Sequence, residues 1–150
     1  MKKLTKLAIG SDHAGYSYKN IIAEWLSSLG YEIEDLGTYS AESCDYPDYA
    51  FRVAESVSEG RNDLGILICG TGIGMSMSAN KVKGIRAATC WSVDSARLAR
   101  EHNNANILAF GARLIPLDLA KEIIIAFLNS EFQQGRHLRR VKMIDEYDNV

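Results

Sequence analysis

The chain has 150 residues, 47% of them hydrophobic and 24% charged, with a net charge of -2, the balance of one soluble globular domain rather than of a disordered or membrane-spanning chain. No global basic field draws it to nucleic acid or to an anionic membrane surface, so any anion it binds must be held by a local site. Cys44, Cys69 and Cys90 are odd in number and widely spaced, without a Cys-x-x-Cys pair, which argues against a disulfide framework or a zinc site and fits a reducing cytoplasm.

The lysine-bearing start, Met1 to Lys6, leads into an apolar stretch that stops at Gly10, too short for a signal-peptide core or a membrane span, so export is not expected. Leu4 to Ile9 reads as a first strand. Tyr16 to Leu29 places Ile21, Ile22, Trp25, Leu26 and Leu29 at helical spacing, with Gly30 as the stop. Tyr31 to Leu36 alternates as a second strand before Gly37, and a helix follows from about Pro47 to Ser58. Leu64 to Ile68 is a near-continuous apolar strand, then come Gly70, Gly72 and Gly74 and a small-residue helix through Asn80. The alternation continues with strand Ile85–Thr89, helix Val93–Glu101, strand Asn106–Phe110 and helix Leu117–Leu128.

Strands separated by helices of this length imply right-handed crossovers. The expected architecture is α/β: a doubly wound, Rossmann-like, five-stranded parallel sheet with helices on both faces and a helical C-terminal tail, in one domain over residues 1–150. Such sheets bind ligands beyond the carboxyl ends of their strands, so chemistry is expected in the loops Gly10–Gly15, Gly37–Pro47, Cys69–Gly74 and Cys90–Asp94. The tail concentrates Arg136, His137, Arg139, Arg140 and Lys142; such a run is either a solvated helix face or an arm that reaches a partner subunit.

Closely spaced glycines between a buried strand and a helix let backbone N–H groups turn toward an anion, or serve only to pack the helix on its strand. Cys69 opens that loop, and a thiol at the positive end of a helix is favoured as thiolate, the form that acts as base or nucleophile; the alternative is a buried inert cysteine. A Cys-x5-Arg phosphatase loop is absent, because Met75 and Ser76 stand where the arginine would be. Cys90 reads as packing and Cys44 as incidental. After the first strand, Asp12 either bonds substrate hydroxyls or caps a helix, and His13 either binds phosphate or shuttles a proton. His102, just beyond the fourth helix, suits the helix dipole as well as it suits catalysis.

These segments together resemble the ribose-5-phosphate isomerase B family of sugar-phosphate isomerases, to which galactose-6-phosphate isomerase subunits are related. The resemblance runs through Gly10–Gly15, Asp45–Ala50, Ile68–Gly74 with Ser76–Lys81, Gly84–Ala87, His102-Asn103 with Asn106, Leu108–Arg113, and Gly135–His137 with Arg140. It implies an aldose–ketose isomerase that interconverts ribose 5-phosphate and ribulose 5-phosphate through a cis-enediolate, with a hexose 6-phosphate such as allose or galactose 6-phosphate as the alternative substrate. By this resemblance Cys69 is the base, Thr71 assists proton transfer between the oxygens, and Gly70, Gly72, Ile73 and Gly74 form the anion hole. His102 opens the sugar ring, and Asp12, Tyr46 and Asn103 hold its hydroxyls. His13, Arg136 and Arg140 bind the phosphate, the two arginines coming from a neighbouring subunit. No cofactor or metal is implied; the partner is a second copy, in a homodimer or a tetramer. Met75, Met77 and Trp91 are expected to line the pocket and tune substrate choice. A nucleotide-binding module is the contrasting class, but Gly-x-Gly-x-Gly after the third strand is not the Gly-x-Gly-x-x-Gly of a first strand.

Overall fold

Five apolar runs become five parallel strands in a computed structural model that describes residues 4–147. Strands β1 (Lys6–Ser11), β2 (Glu32–Asp35), β3 (Leu64–Cys69), β4 (Ala87–Thr89) and β5 (Ile107–Gly111) alternate with α1 (Tyr16–Ser28), α2 (Tyr46–Ser58), α3 (Ile73–Ala79), α4 (Val93–Asn103) and α5 (Leu117–Asn129). Helix α6 (Arg136–Tyr147) follows. The sheet order is β2-β1-β3-β5-β4, so the expected doubly wound architecture is the one observed.

Side chains alternate along a strand. Leu7, Ile9, Ile66, Ile68, Leu108 and Phe110 therefore face α1, α4 and α5, where Ile22, Leu26, Ile123, Ile124 and Phe127 meet them. Ala8, Leu67, Cys69, Ile107 and Ala109 face α2 and α3 and pack on Ala50, Val53, Ala54, Met75 and Ala79. Each fully buried Leu, Ile or Phe side chain stabilises the fold by about 1.5–3 kcal/mol relative to an exposed one. The second face is rich in alanine and lets α2 approach closely: a Cβ at Gly10 would lie 2.8 Å from Val53 Cγ2. Gly10 is thus not the strand stop that the sequence suggests. β1 runs on to Ser11, whose N–H donates to Gly37 O at 2.7 Å and whose carbonyl accepts from the Thr38 N–H at 2.8 Å. β4 starts two residues later than expected, because the Ile85 N–H goes to Val82 O and the Arg86 N–H to Asn106 Oδ1.

The chain leaves β1 for the edge at β2, then crosses to the other side of β1 for β3. The loops after β1 and β3 diverge, and a crevice opens between them at the carboxyl edge of the sheet. Helix α6 sits at the opposite edge. Its buried residues are His137 and Val141, and the Gln133 N–H donates to Glu101 O near the end of α4. Among the described residues no helix is long and apolar enough to cross a membrane.

Candidate active site

The crevice is an open cleft of about 390 Å³ lined by Asp12, Tyr46, Cys69, Gly70, Thr71, Ile73, Gly74, Met77 and Arg113. Cys69 ends β3 and is 5% exposed. Its Sγ accepts the Gly72 N–H at 3.1 Å. The loop achieves this because Gly72 adopts φ 82, where a Cβ would also strike the Phe110 backbone at 2.7 Å; no L side chain fits both demands. Helix α3 spans seven residues, so its dipole is small and the individual N–H groups carry the electrostatics. The N–H groups of Gly70, Thr71 and Gly74 donate to no group among the described residues, which leaves them for an incoming anion. The Ile73 N–H, expected in the anion hole, instead donates to Thr71 Oγ1 at 3.3 Å. Ile73 contributes its side chain to the cleft wall.

Asp12 does two things at once. Its Oδ1 accepts the N–H groups of Ala14 and Gly15 at 3.0 and 3.1 Å, fastening the turn into α1, while the residue lines the cleft. The N-cap of α1 is Gly15, without a side-chain cap bond, so Asp12 fastens the turn rather than capping the helix. His13 follows Asp12 in the chain but does not line the cleft; its Nδ1 accepts the Cys44 N–H at 3.2 Å. Tyr46 opens α2, and its ring lies so close to Gly74 that a Cβ there would be 2.6 Å from Cζ. Arg113, not among the site residues expected above, lies over Gly70, where a Cβ would meet its Nη1 at 3.1 Å. It is held there by its own backbone: the Ala112 and Arg113 N–H groups donate to the carbonyls of Cys69 and Gly70 at 2.8 and 3.1 Å. Its signal in the sequence is an arginine two residues past the carboxyl end of a strand beside β3.

Of the three residues expected to tune the pocket, Met77 lines it, Met75 is fully buried in the core, and Trp91 is 69% exposed away from the cleft lining. Cys90 is buried beneath α4, and burial pushes its thiol up to about 11 despite a hydrogen bond from Ser95. It is a neutral packing residue, as expected.

The remaining expected residues lie elsewhere. His102 and Asn103 belong to the last turn of α4, not to a loop beyond it. The His102 ring stacks on His137 of α6, centroids 4.2 Å apart, which gathers Arg136 and Arg140 at the same place. Arg86 ties this corner together: its Nε donates to the carbonyls of Asn103 and Asn104, and its Nη1 to Asp145 Oδ1 at 2.7 Å. Arg86 precedes β4, His102 and Asn103 precede β5, and the cluster they anchor lies at the amino edge of the sheet. At about 3.3 Å per residue, the four steps from Ile107 to Gly111 put it about 13 Å or more from the level of Cys69. Arg136 and Arg140, expected from a neighbouring subunit, thus lie with His102 and Asn103 at one edge of the chain, and the Cys69 loop lies at the other.

Burial, reinforced by His102, Arg136 and Arg140, pushes the His137 imidazolium below its usual range. A histidine depressed in the fold is the neutral form there, while the unfolded chain still takes up a proton, so its contribution is complete above about pH 6.5 and is lost as pH falls below it. Thermal midpoints from about pH 8 to about pH 5 should fall through that window, and His137→Asn should flatten the fall. An identical acid step in the variant would show that other groups control it.

The Ribose/Galactose Isomerase family matches over residues 7–144. Ribose-5-phosphate isomerase B of Escherichia coli is 49% identical over 141 residues, 94% of this chain and 95% of that protein. Among solved structures, ribose-5-phosphate isomerase B of Clostridium thermocellum superposes with a TM-score of 0.96 at 54% identity, covering 97% of this chain and 98% of the other. The Mycoplasma genitalium enzyme of the same name, solved with bound ribulose 5-phosphate, gives 0.94 at 44% identity and 97% coverage of both chains. The match spans nearly all of the sequence, the Cys69 loop and the segment from His102 to Arg140 included, and the chain belongs to the ribose/galactose isomerase family.

Proposed function

We propose that this protein interconverts ribose 5-phosphate and ribulose 5-phosphate, and that the reaction is carried by Cys69 with the Gly72 N–H 3.1 Å from its sulfur. Proton abstraction next to a carbonyl creates an oxyanion, and the free N–H groups of Gly70, Thr71 and Gly74 are donors for it, each such donor being worth about 2.7–4 kcal/mol in a water-excluded site. The Cys69 thiolate takes the proton from C2 of the open-chain aldose and returns it to C1. Thr71 Oγ1 passes a proton between O1 and O2 of the enediolate. Asp12 and Tyr46 hold sugar hydroxyls. His13 and Arg113 meet the phosphate from this side, the planar guanidinium suiting its oxygens.

The other half comes from a second copy: His102 opens the ring, Asn103 steadies it, and Arg136 and Arg140 close on the phosphate. Ile73, Met77, Trp91 and Leu114, in the segments that follow β3, β4 and β5, are exposed apolar side chains, available to an interface at the carboxyl edge. The site belongs to a homodimer at the least. Three free cysteines suit the reducing cytoplasm.

The family name spans pentose and hexose substrates, and the comparison that decides is kcat/KM for ribose 5-phosphate against allose 6-phosphate and galactose 6-phosphate. The pentose should lead by about 10-fold or more, the discrimination that a pocket achieves against one extra carbon. A hexose that matches or exceeds it overturns the pentose assignment and leaves the proton-transfer chemistry in place.

A further inference from the structure

Lys19 is a buried cation outside the cleft. It is 1% exposed on α1, and a buried ammonium is strongly disfavoured unless it is paired and hydrogen-bonded. Its Nζ donates to Asp35 Oδ2 at 2.5 Å and to Asn20 Oδ1 at 3.0 Å, and the rings of Tyr16 and Tyr39 lie 5.5 and 5.9 Å away, within cation–π range. Asp35 passes the constraint on. Its Oδ1 accepts the Gly37 N–H at 2.9 Å, and its carbonyl accepts the Tyr39 hydroxyl at 3.0 Å. Gly37 and Thr38 are also laced to Ser11 at the end of β1. The start of the loop between β2 and α2 is thus fastened on two sides.

The middle of that loop, Ser40 to Ser43, is exposed. Its far end makes one contact that reaches the site, the Cys44 N–H on His13 Nδ1. An amide N–H can only donate, so Nδ1 is the acceptor and the neutral ring carries its proton on Nε2. With the Lys19–Asp35 side released, residues 37 and 38 keep only their bonds to Ser11, and the loop beyond them gains backbone freedom that one amide–imidazole bond does not offset.

We propose that the Lys19–Asp35 pair is a positioning device that anchors residues 37–45 so that the Cys44 amide holds His13 as its Nε2–H tautomer, the form that presents a donor to an anion. That His13 meets an anion, and that the anion is a sugar phosphate, rest on the function proposed above. The test is nitrogen NMR of the imidazoles, tractable with three histidines in the chain, on wild type and Lys19→Met, together with titration of inorganic phosphate. Wild type should show the His13 Nε2–H pattern. The variant should show averaged tautomer signals and a phosphate affinity about tenfold weaker, the size of one hydrogen bond. Tyr39→Phe, which keeps the ion pair and removes the loop's hydroxyl bond, should move both in the same direction by less, and it decides the matter if Lys19→Met does not fold. Unchanged His13 signals in a folded variant overturn the proposal. Averaged signals with unchanged phosphate affinity overturn it too, because the pair would then clamp a loop without serving the site. Neither readout needs turnover, so failure of the isomerase assignment, seen as an inactive wild type, is a separate result.

Discussion

Cys69→Ala should lower kcat for ribose 5-phosphate by about 10²- to 10⁴-fold, the range that a positioned acid–base group contributes, while phosphate binding and the fold survive. The fold survives because the change removes a single sulfur from a site packed mainly by alanines, Met75 and Leu67, a loss of about 1 kcal/mol where neighbours relax. Binding survives because Arg113 is set by the backbone bonds of residues 112 and 113 to the 69–70 carbonyls, which an alanine keeps. Cys90→Ala is the matched control. Its thiol, pushed up to about 11 by burial, holds its proton at any working pH, and its loss should leave kcat within about twofold. Initial rates of ribulose 5-phosphate formation, with thermal midpoints beside them, check both variants. A Cys69→Ala enzyme that keeps wild-type turnover removes the thiol from the mechanism.

What the sequence made legible follows from where the constraints are local. Leu64 to Ile68 is buried on both faces, so its continuous apolar run identifies a central strand without knowledge of its neighbours. The Cys69–Gly74 loop is equally legible, because strand, glycines and small-residue helix are contiguous. β4 is less so: Ile85 and Arg86 look like strand, but distant Asn106 takes the Arg86 N–H, and that partner lies outside any short window. Arg113 is hidden for a similar reason, since bonds to another loop place it. The split of the site is a different case. His102 and Asn103 end a helix that runs back from the carboxyl edge, so the polarity of every β–α unit already sends them to the amino edge. Motif order along the chain says nothing of that direction: the resemblance assigned Arg136 and Arg140 to a neighbouring subunit but did not place His102 and Asn103 on their side.

The division of the site yields the sharpest expected result. Cys69→Ala breaks the half at the carboxyl edge, and His102→Asn breaks the half at the amino edge; each homodimer should be nearly inactive, with His102→Asn down about 10²-fold or more. Co-expressed with different affinity tags and purified through both, the mixed dimer should hold one site with both lesions and one with neither if, as proposed, each carboxyl edge meets its partner's amino edge across a two-fold interface. It should recover about half of wild-type activity. The pairing Cys69→Ala with Thr71→Ala, two lesions in the same half, should recover nothing, since every site in that dimer carries one of them. An inactive Cys69–His102 mixed dimer would mean that both halves serve one chain, which would require α4 and α6 to leave the positions fixed by Arg86, Asp145 and the Gln133–Glu101 bond. Recovery of half the activity would show that the edge carrying His102, with His137 stacked on it, completes a neighbour's active site.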